Sequence, residues 1–299
     1  MAIGVFDGVH LGHRALLQKT VEEARKRGVP SGVITFDPHP RKVLSPHRAP
    51  CLLTSLEDRL FLFEAAGVEN CLVLPFDREL ARMEPEDFAR EYLQERLGVG
   101  AVFVGFNFTF GRGGRGTVEL LSRLGTELGF EVGILPPVEV EGEVVSSSLV
   151  RSRLARGEVE GVARALGRFF CLRGRVTEGE GRGRRLGYPT ANLEVREYCL
   201  PGPGVYGVGV EVRGNIYPGA ANAGFRPTFR PRSRGPVLEV HLLDFEGEIR
   251  GEELRVHFLK KIREEKAFPD GEALRARIGR DVEEIRSLWS KEGSLWRAR

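Results

Sequence analysis

Two stretches of the chain combine residue types at spacings suited to phosphate chemistry. The first, Gly4-Val5-Phe6-Asp7-Gly8-Val9-His10-Leu11-Gly12-His13-Arg14, reads as a strand end and a glycine-containing turn that opens directly into a helix. Such a turn aims backbone N–H groups and the positive end of a helix dipole at an anion. Gly12, flanked by His10 and His13, has no side chain to keep phosphate oxygens off the backbone. Two imidazoles there can donate hydrogen bonds to an α-phosphate as charge accumulates during displacement of pyrophosphate. The second stretch is Thr177-Glu178-Gly179-Glu180-Gly181-Arg182-Gly183-Arg184-Arg185-Leu186-Gly187-Tyr188-Pro189-Thr190-Ala191-Asn192-Leu193. Its glycines permit a tight phosphate-wrapping loop, and Arg182, Arg184 and Arg185 can neutralise negative charge. A solvated glycine- and arginine-rich loop has the same composition, and it is the Pro189–Asn192 tail that sharpens the reading.

The elements that must position these residues change character along the chain. In the first half, Gly32–Phe36, Cys71–Leu74, Ala101–Val104 and Val132–Leu135 are short apolar runs of the kind that form buried strands. Between them residues 13–28, 54–67, 84–98 and 116–129 carry apolar positions at helical spacing, and Pro85 suits a first helical turn. Alternation of this kind predicts a parallel sheet with covering helices. After an arginine-containing helical stretch, about 150–167, the runs become short and turn-punctuated, as in Cys171–Val176, Val205–Val210 and Leu238–Leu242. This texture predicts an antiparallel barrel or sandwich. The chain closes on an amphipathic helix at about 270–290, with Leu274, Ile278, Val282 and Ile285 on one face. A chain of 299 residues suits two domains, with the boundary expected at 167/168.

No apolar run is long enough to span a bilayer, and Met1–Asp7 lacks the pattern of a secretory signal, so a cytoplasmic location is expected. Cys51, Cys71, Cys171 and Cys199 stand far apart, which argues against a zinc site or dense disulfide framework and suggests core thiols. The net charge of +3 is too small for a general nucleic-acid footprint. Of 45 Lys and Arg residues only seven are Lys. Guanidinium forks suit phosphate contacts, although a genome-wide arginine preference or selection for heat-stable ion pairs is the better explanation of the total.

The first stretch resembles the His-x-Gly-His motif of the nucleotidyltransferase superfamily, and Gly4–His13 is similar more narrowly to the bacterial FAD synthetase module. Three further segments agree with it: Thr35-Phe36-Asp37-Pro38-His39-Pro40, Val104-Gly105-Phe106-Asn107-Phe108-Thr109-Phe110-Gly111, and Ser146-Ser147-Ser148-Leu149-Val150-Arg151. The resemblance implies a Rossmann-like α/β domain in which His10, His13 and Arg151 are catalytic. It further implies that Gly4, Phe6, Asp7, Gly12, Asp37, His39, Asn107, Ser146 and Ser147 bind nucleotide or flavin. Asn107 stands where many members have Asp; it can hydrogen-bond a ribose or ribityl hydroxyl but supplies no charge. Only three residues precede Gly4, so the first strand is expected to be short or its start truncated.

The Pro189-Thr190-Ala191-Asn192 tail resembles the corresponding motif of riboflavin kinases. Gly204-Val205-Tyr206, Asn222–Phe229, Leu238–Phe245 and the final helix follow in that family's order. The resemblance implies a six-stranded antiparallel Greek-key barrel with a terminal helix. Thr190 and Asn192 would hold Mg²⁺, or another hard divalent cation, with the ATP phosphates. Gly181, Gly183, Gly187 and Pro189 would contact ligand, and Arg226 would do so or form a surface salt bridge. Glu239, mid-strand between Leu238 and Val240, would be the base that orients the 5′-hydroxyl of riboflavin and accepts its proton. Tyr188 and Phe229 read as packing residues ahead of flavin-stacking ones.

The expected function is therefore bifunctional: ATP-dependent phosphorylation of riboflavin to FMN, then adenylyl transfer from ATP to FMN giving FAD and pyrophosphate. The expected partners are ATP, riboflavin and FMN, with neither nucleic acid nor membrane, and with flavoenzyme apoproteins as candidate acceptors of FAD. Oligomeric state stays open. Two alternatives remain at this point: a kinase with weakened adenylyl transfer, and a non-catalytic flavin- or RNA-binding regulator. An aminoacyl-tRNA synthetase shares His10-Leu11-Gly12-His13 but calls for a lysine-bearing second motif, and Ser146–Arg151 has no lysine.

Overall fold

Because helices cover both of its faces, the sheet of the first half is built from nearly continuous apolar runs. The computed structural model describes residues 1–177, 187–195, 197–225 and 236–296, in two compact units, Met1–Ser147 and Ser148–Arg299. Unit one runs β1 (Ala2–Ile3), α1 (Leu11–Arg27), β2 (Gly32–Asp37), α2 (Pro40–Leu44), α3 (Leu56–Ala65), β3 (Asn70–Pro75), α4 (Pro85–Phe88), β4 (Ala101–Gly105), α5 (Val118–Leu128) and β5 (Glu131–Leu135), then a small hairpin of β6 (Glu139–Val140) and β7 (Glu143–Val144). The five long-range strands form a parallel sheet in the order β3-β2-β1-β4-β5. Alternate residues feed two cores. Ile3, Ile34, Val102, Val104 and Leu121 lie in one, and Ala2, Leu17, Val33, Phe63 and Phe103 in the other.

The strand order reverses between β1 and β4, and the crevice beyond the C-terminal ends of the strands at such a reversal is where open α/β sheets bind ligands. The loops after β1, β2 and β4 are those singled out from sequence. As expected, β1 is short, at two residues. The helix expected over 84–98 is a single α-turn, α4, continued by π-helical turns at Ala89–Arg96 that bury Ala89 and Leu93.

Unit two takes in α6 (Ser147–Ala155) from its second residue onward and α7 (Val159–Leu166). The units divide twenty residues ahead of 167/168 because these helices attach to the C-terminal half of the chain. Arg153, buried, donates to Gly161 O at 3.0 Å, Gly202 N donates to Leu154 O at 2.8 Å, and α7 packs on β8 and β13. The barrel strands are β8 (Phe170–Thr177), β9 (Ala191–Glu194), β10 (Gly204–Val212), β11 (Asn215–Phe225), β12 (Pro236–Leu242) and β13 (Glu253–Arg263). They close in the antiparallel order β10-β11-β12-β9-β8-β13. Inward residues such as Leu172, Val208, Ala221, Leu238, Val240 and Phe258 are at most 1% exposed, as the period-two alternation requires.

The terminal helix α8 (Gly271–Trp296) lies against the outside of β10, β11 and β13. A Cβ at Gly207 would meet Ile285 at 3.4 Å, so glycine lets this helix approach. Asp281, buried on the same helix, pairs with Arg263 and Arg277, each at 2.9 Å. The cysteines are not a set of core thiols: Cys71 is exposed on β3, and Cys171 is half-buried with its sulfur 3.9 Å from His257.

Candidate functional site

In unit one the loops after the strands enclose a cleft of about 520 Å³, lined among others by Gly4, Phe6, His10, Gly12, His13, His39, Asn107, Ser146 and Ser147. The turn between β1 and α1 is tightly wound. Phe6, Gly8 and Val9 all have positive φ, at 54°, 85° and 39°. For a β-branched residue such as Val9 this conformation is strained, and strain of this kind persists only where packing over-determines it. Phe6 and Val9 are almost fully buried. The Phe6 ring supports the site from beneath, edge-on to His13 at 5.1 Å and to Phe63 at 5.2 Å.

His10 is the N-cap of α1, its Nδ1 accepting from His13 N at 3.3 Å. The two imidazoles stack with centroids 3.7 Å apart, so they present adjacent ring nitrogens at one end of the helix. Gly12 has a packing reason beyond phosphate access, because a Cβ there would press on the His10 ring at 3.2 Å. Ser147 Oγ, at the end of unit one, donates to Asp7 O of this turn at 2.8 Å.

Two of the anticipated ligand residues have structural engagements. The Asp7 carboxylate is 4% exposed and accepts from Leu53 N, Thr54 N and Thr54 Oγ1 at 3.0–3.3 Å. It therefore fastens the 53–54 loop to the Gly4–Gly8 turn. Asp37, at the end of β2, is 3.5 Å from Arg59 Nη2. Arg151 follows Ser147 by one turn along α6.

Arg59 was not apparent from sequence. Its guanidinium is buried and donates to Val5 O at 2.8 Å, Thr35 Oγ1 at 3.0 Å and Phe36 O at 3.2 Å, joining the turns after β1 and β2. Burial pushes its pKa below the ordinary arginine value, opposed by the nearby charges of Asp7 and Asp37. Its only sequence signal is an arginine on the apolar side of α3, beside the buried Phe63. Arg59→Met would remove the donor to Val5 O, Thr35 Oγ1 and Phe36 O, of which Val5 O still accepts from Thr35 Oγ1, and is expected to destabilise unit one by about 2 kcal/mol. Urea denaturation of the full chain would show this as an earlier transition of unit one, with the transition of unit two unchanged.

In unit two the strand register assembles the second site. Asn192, Glu239 and Asn222 are successive cross-strand partners on β9, β12 and β11. Their neighbours Leu193, Leu238, Val240, Ala221 and Ala223 fill the barrel, so the polar row faces outward. Glu239 is half-buried, Asn192 is 7% exposed, and Thr190 and Gly187 are exposed just before β9. Thr177 Oγ1 donates to Asn192 O at 3.3 Å. Asn222 Oδ1 is buried without a hydrogen-bond partner among the described residues. Asn222 has no role that the sequence alone could assign, since only the register places it beside Glu239.

Tyr188 packs edge-on to His241 at 5.5 Å. Gly181, Gly183 and Arg226, like Phe229, lie outside the described residues. The donors in this row, an amide, a carboxylate and a neighbouring hydroxyl, are all hard oxygens, which fits a cation of the Mg²⁺ type better than a soft metal. Among the described residues no cluster of three His, Cys, Asp or Glu could hold a metal ion, and no helix is long and apolar enough to cross a membrane.

Comparison with known proteins covers both halves of the chain. The FAD synthetase family model matches residues 1–149 and the riboflavin kinase family model residues 166–289. A bifunctional riboflavin kinase/FMN adenylyltransferase from Pseudomonas fluorescens is 40% identical over 96% of this chain and 91% of its own. The Escherichia coli K12 protein of that name is 39% identical over 94% and 90%, and the Bacillus subtilis one 36% identical over 95% and 90%. A crystal structure titled as a macrolide-efflux protein from Streptococcus pneumoniae aligns at a TM-score of 0.86 with 32% identity, over 95% of this chain and 93% of that one. With a parallel nucleotidyltransferase-type sheet followed by a flavokinase-type barrel, the chain belongs to the bifunctional riboflavin kinase/FMN adenylyltransferase family.

Proposed function

We propose that residues 168–299 transfer the γ-phosphoryl group of ATP to riboflavin and that residues 1–167 then transfer AMP from a second ATP to the FMN formed. The observation that carries this reading is the outward row Asn192–Glu239–Asn222, a carboxylate flanked by two amides at the start of the Pro-Thr-Ala-Asn strand. The 5′-oxygen of riboflavin attacks the γ-phosphorus, the bond to the β,γ-bridging oxygen breaks, and ADP leaves. Glu239 orients the hydroxyl and takes its proton as that bond forms. Thr190 and Asn192 would hold Mg²⁺ against the phosphates, and when bound the cation supplies charge neutralisation there. Gly187 and Pro189 shape the turn that brings Thr190 to them.

Adenylyl transfer makes a different demand. The attacking group is already an ionised phosphate of FMN, so no base is needed, and the site must instead stabilise charge on the α-phosphate and the departing pyrophosphate. The stacked His10 and His13, with Gly4 and Gly12 giving backbone access, suit that task. Ser146, Ser147 and Arg151 are assigned to the β,γ-phosphates, and His39 and Asn107 to nucleotide or flavin polar groups. This reading assigns the reactions to the cytoplasm, with no nucleic-acid partner and with apo-flavoenzymes as receivers of FAD.

Riboflavin, ATP and MgCl₂ incubated with the protein should yield FMN first and FAD later by chromatography. EDTA should stop both steps and excess Mg²⁺ restore them. If FMN forms but supplied FMN never becomes FAD, the adenylyl-transfer half of the proposal fails.

A further inference from the structure

We infer that His241 is a positioning residue for phosphoryl transfer to riboflavin: it fastens the turn carrying Thr190 to the strand carrying Glu239. The inference rests on the reading above, in which Thr190, Asn192 and Glu239 serve that reaction. His241 stands two residues beyond Glu239 on β12, on the same outward face of the strand. Its cross-strand partner on β11 is Ala220, which has no polar side chain to engage it. Its Nδ1 is instead 2.7 Å from Pro189 O, across 52 positions of sequence. A carbonyl can only accept, so the ring donates through Nδ1–H. The Tyr188 ring meets the imidazole edge-on at 89°, and a Cβ at Gly279 of α8 would come within 3.4 Å of the Tyr188 hydroxyl.

The consequence falls on Thr190. Ala191, the first residue of β9, is paired with Val240 in the ladder, and Pro189 is held by His241. Thr190 is thus bracketed by two attachments to one strand, although it is itself exposed and outside the sheet. Pro189 has no N–H to donate, so its carbonyl is the backbone group by which this turn can be held at that residue. Without the imidazole, Thr190 would sit on a fraying strand end, no longer in register with Asn192 and Glu239. A group displaced by 1 Å loses much of its effect on a bound phosphate.

The test compares His241→Phe, His241→Asn and His241→Gln in the full chain. Asn carries an N–H donor at the same bond count from Cβ as Nδ1, whereas Gln carries it one atom farther out, and Phe keeps the aromatic contact with Tyr188 but has no donor. For riboflavin phosphorylation, Phe and Gln are expected to raise both the KM for ATP and the Mg²⁺ concentration giving half-maximal rate by about tenfold. Asn should stay within about threefold of wild type. Conversion of supplied FMN to FAD, measured on the same preparations, should be unchanged in all three and reports that the chain is intact. Wild-type KM and Mg²⁺ dependence in the Phe variant would overturn the inference, as would an Asn variant as impaired as Phe. Glu239→Gln, run beside them, separates the two layers. If it retains full riboflavin phosphorylation, the reading of the site itself falls. If it is inactive while His241→Phe behaves as wild type, only the role of His241 falls.

Discussion

Glu239→Gln is expected to lower the rate of riboflavin phosphorylation by about 10³-fold while leaving the conversion of supplied FMN to FAD intact. The substitution keeps the size of the side chain and its place between Asn192 and Asn222 in the register, so the loss reports the proton acceptor and not the fold. Glu239 faces away from the barrel core, whose packing at Leu238 and Val240 is untouched. Chromatographic time courses with riboflavin and with FMN as alternative substrates would read both halves in one preparation. A variant that still phosphorylates riboflavin at the wild-type rate would remove the carboxylate from the mechanism.

The second large effect is expected at the other end of the chain. His13→Ala should make the enzyme accumulate FMN, with adenylyl transfer reduced by about 10²- to 10³-fold through loss of one donor to the α-phosphate. His13 is a cleaner target than His10. The His10 side chain also caps α1, so His10→Ala would add about 1 kcal/mol of lost helix stability to any catalytic effect. With His13→Ala the cap acceptor on His10 and the backbone donor of residue 13 both survive. The readout is the ratio of FMN to FAD at long times from riboflavin. If His13→Ala and Glu239→Gln each lost both reactions equally, assigning one reaction to each half would be wrong.

Much of the fold was legible because its signals are local. The runs around Ile34 and Val102 became strands within a residue or two of expectation, since the centre of a parallel sheet covered on both faces needs unbroken apolar residues, and the run at Val132–Leu135 became the edge strand β5, where Ile134 is exposed. The barrel strands were visible as short runs between glycines and prolines, and Glu239 was expected to face away from its two apolar neighbours, as it does. The residues that were not legible depend on pairings remote in sequence. Arg59 is one of many arginines until α3 brings it under Val5 and Phe36. Asp7 reads as a ligand residue in a conspicuous motif, yet its carboxylate is taken by backbone amides 46 and 47 positions away. Asn222 and His241 gained meaning only from the register of β11 and β12 and from the path of the chain into β9. The boundary between units shifted toward the N-terminus because α6 and α7 look like the end of an α/β domain in sequence but pack with the barrel.

That the row proposed for phosphoryl transfer lies on the outer wall of the barrel bears on how this half can change over time. In a barrel that binds ligand in its lumen, the residues that set stability and those that set specificity compete for the same volume. Here the lumen is filled by Leu172, Val208, Ala221, Ala223, Leu238, Val240, Val256 and Phe258, and the row proposed for the chemistry sits on the opposite side of the same strands. Drift or design inside the wall is therefore free to trade one aliphatic side chain for another, provided volume is kept. The usual antagonism between a more robust protein and a more active one is relaxed in such an arrangement. The barrel's interior is where a sturdier variant can be sought without renegotiating the reaction outside.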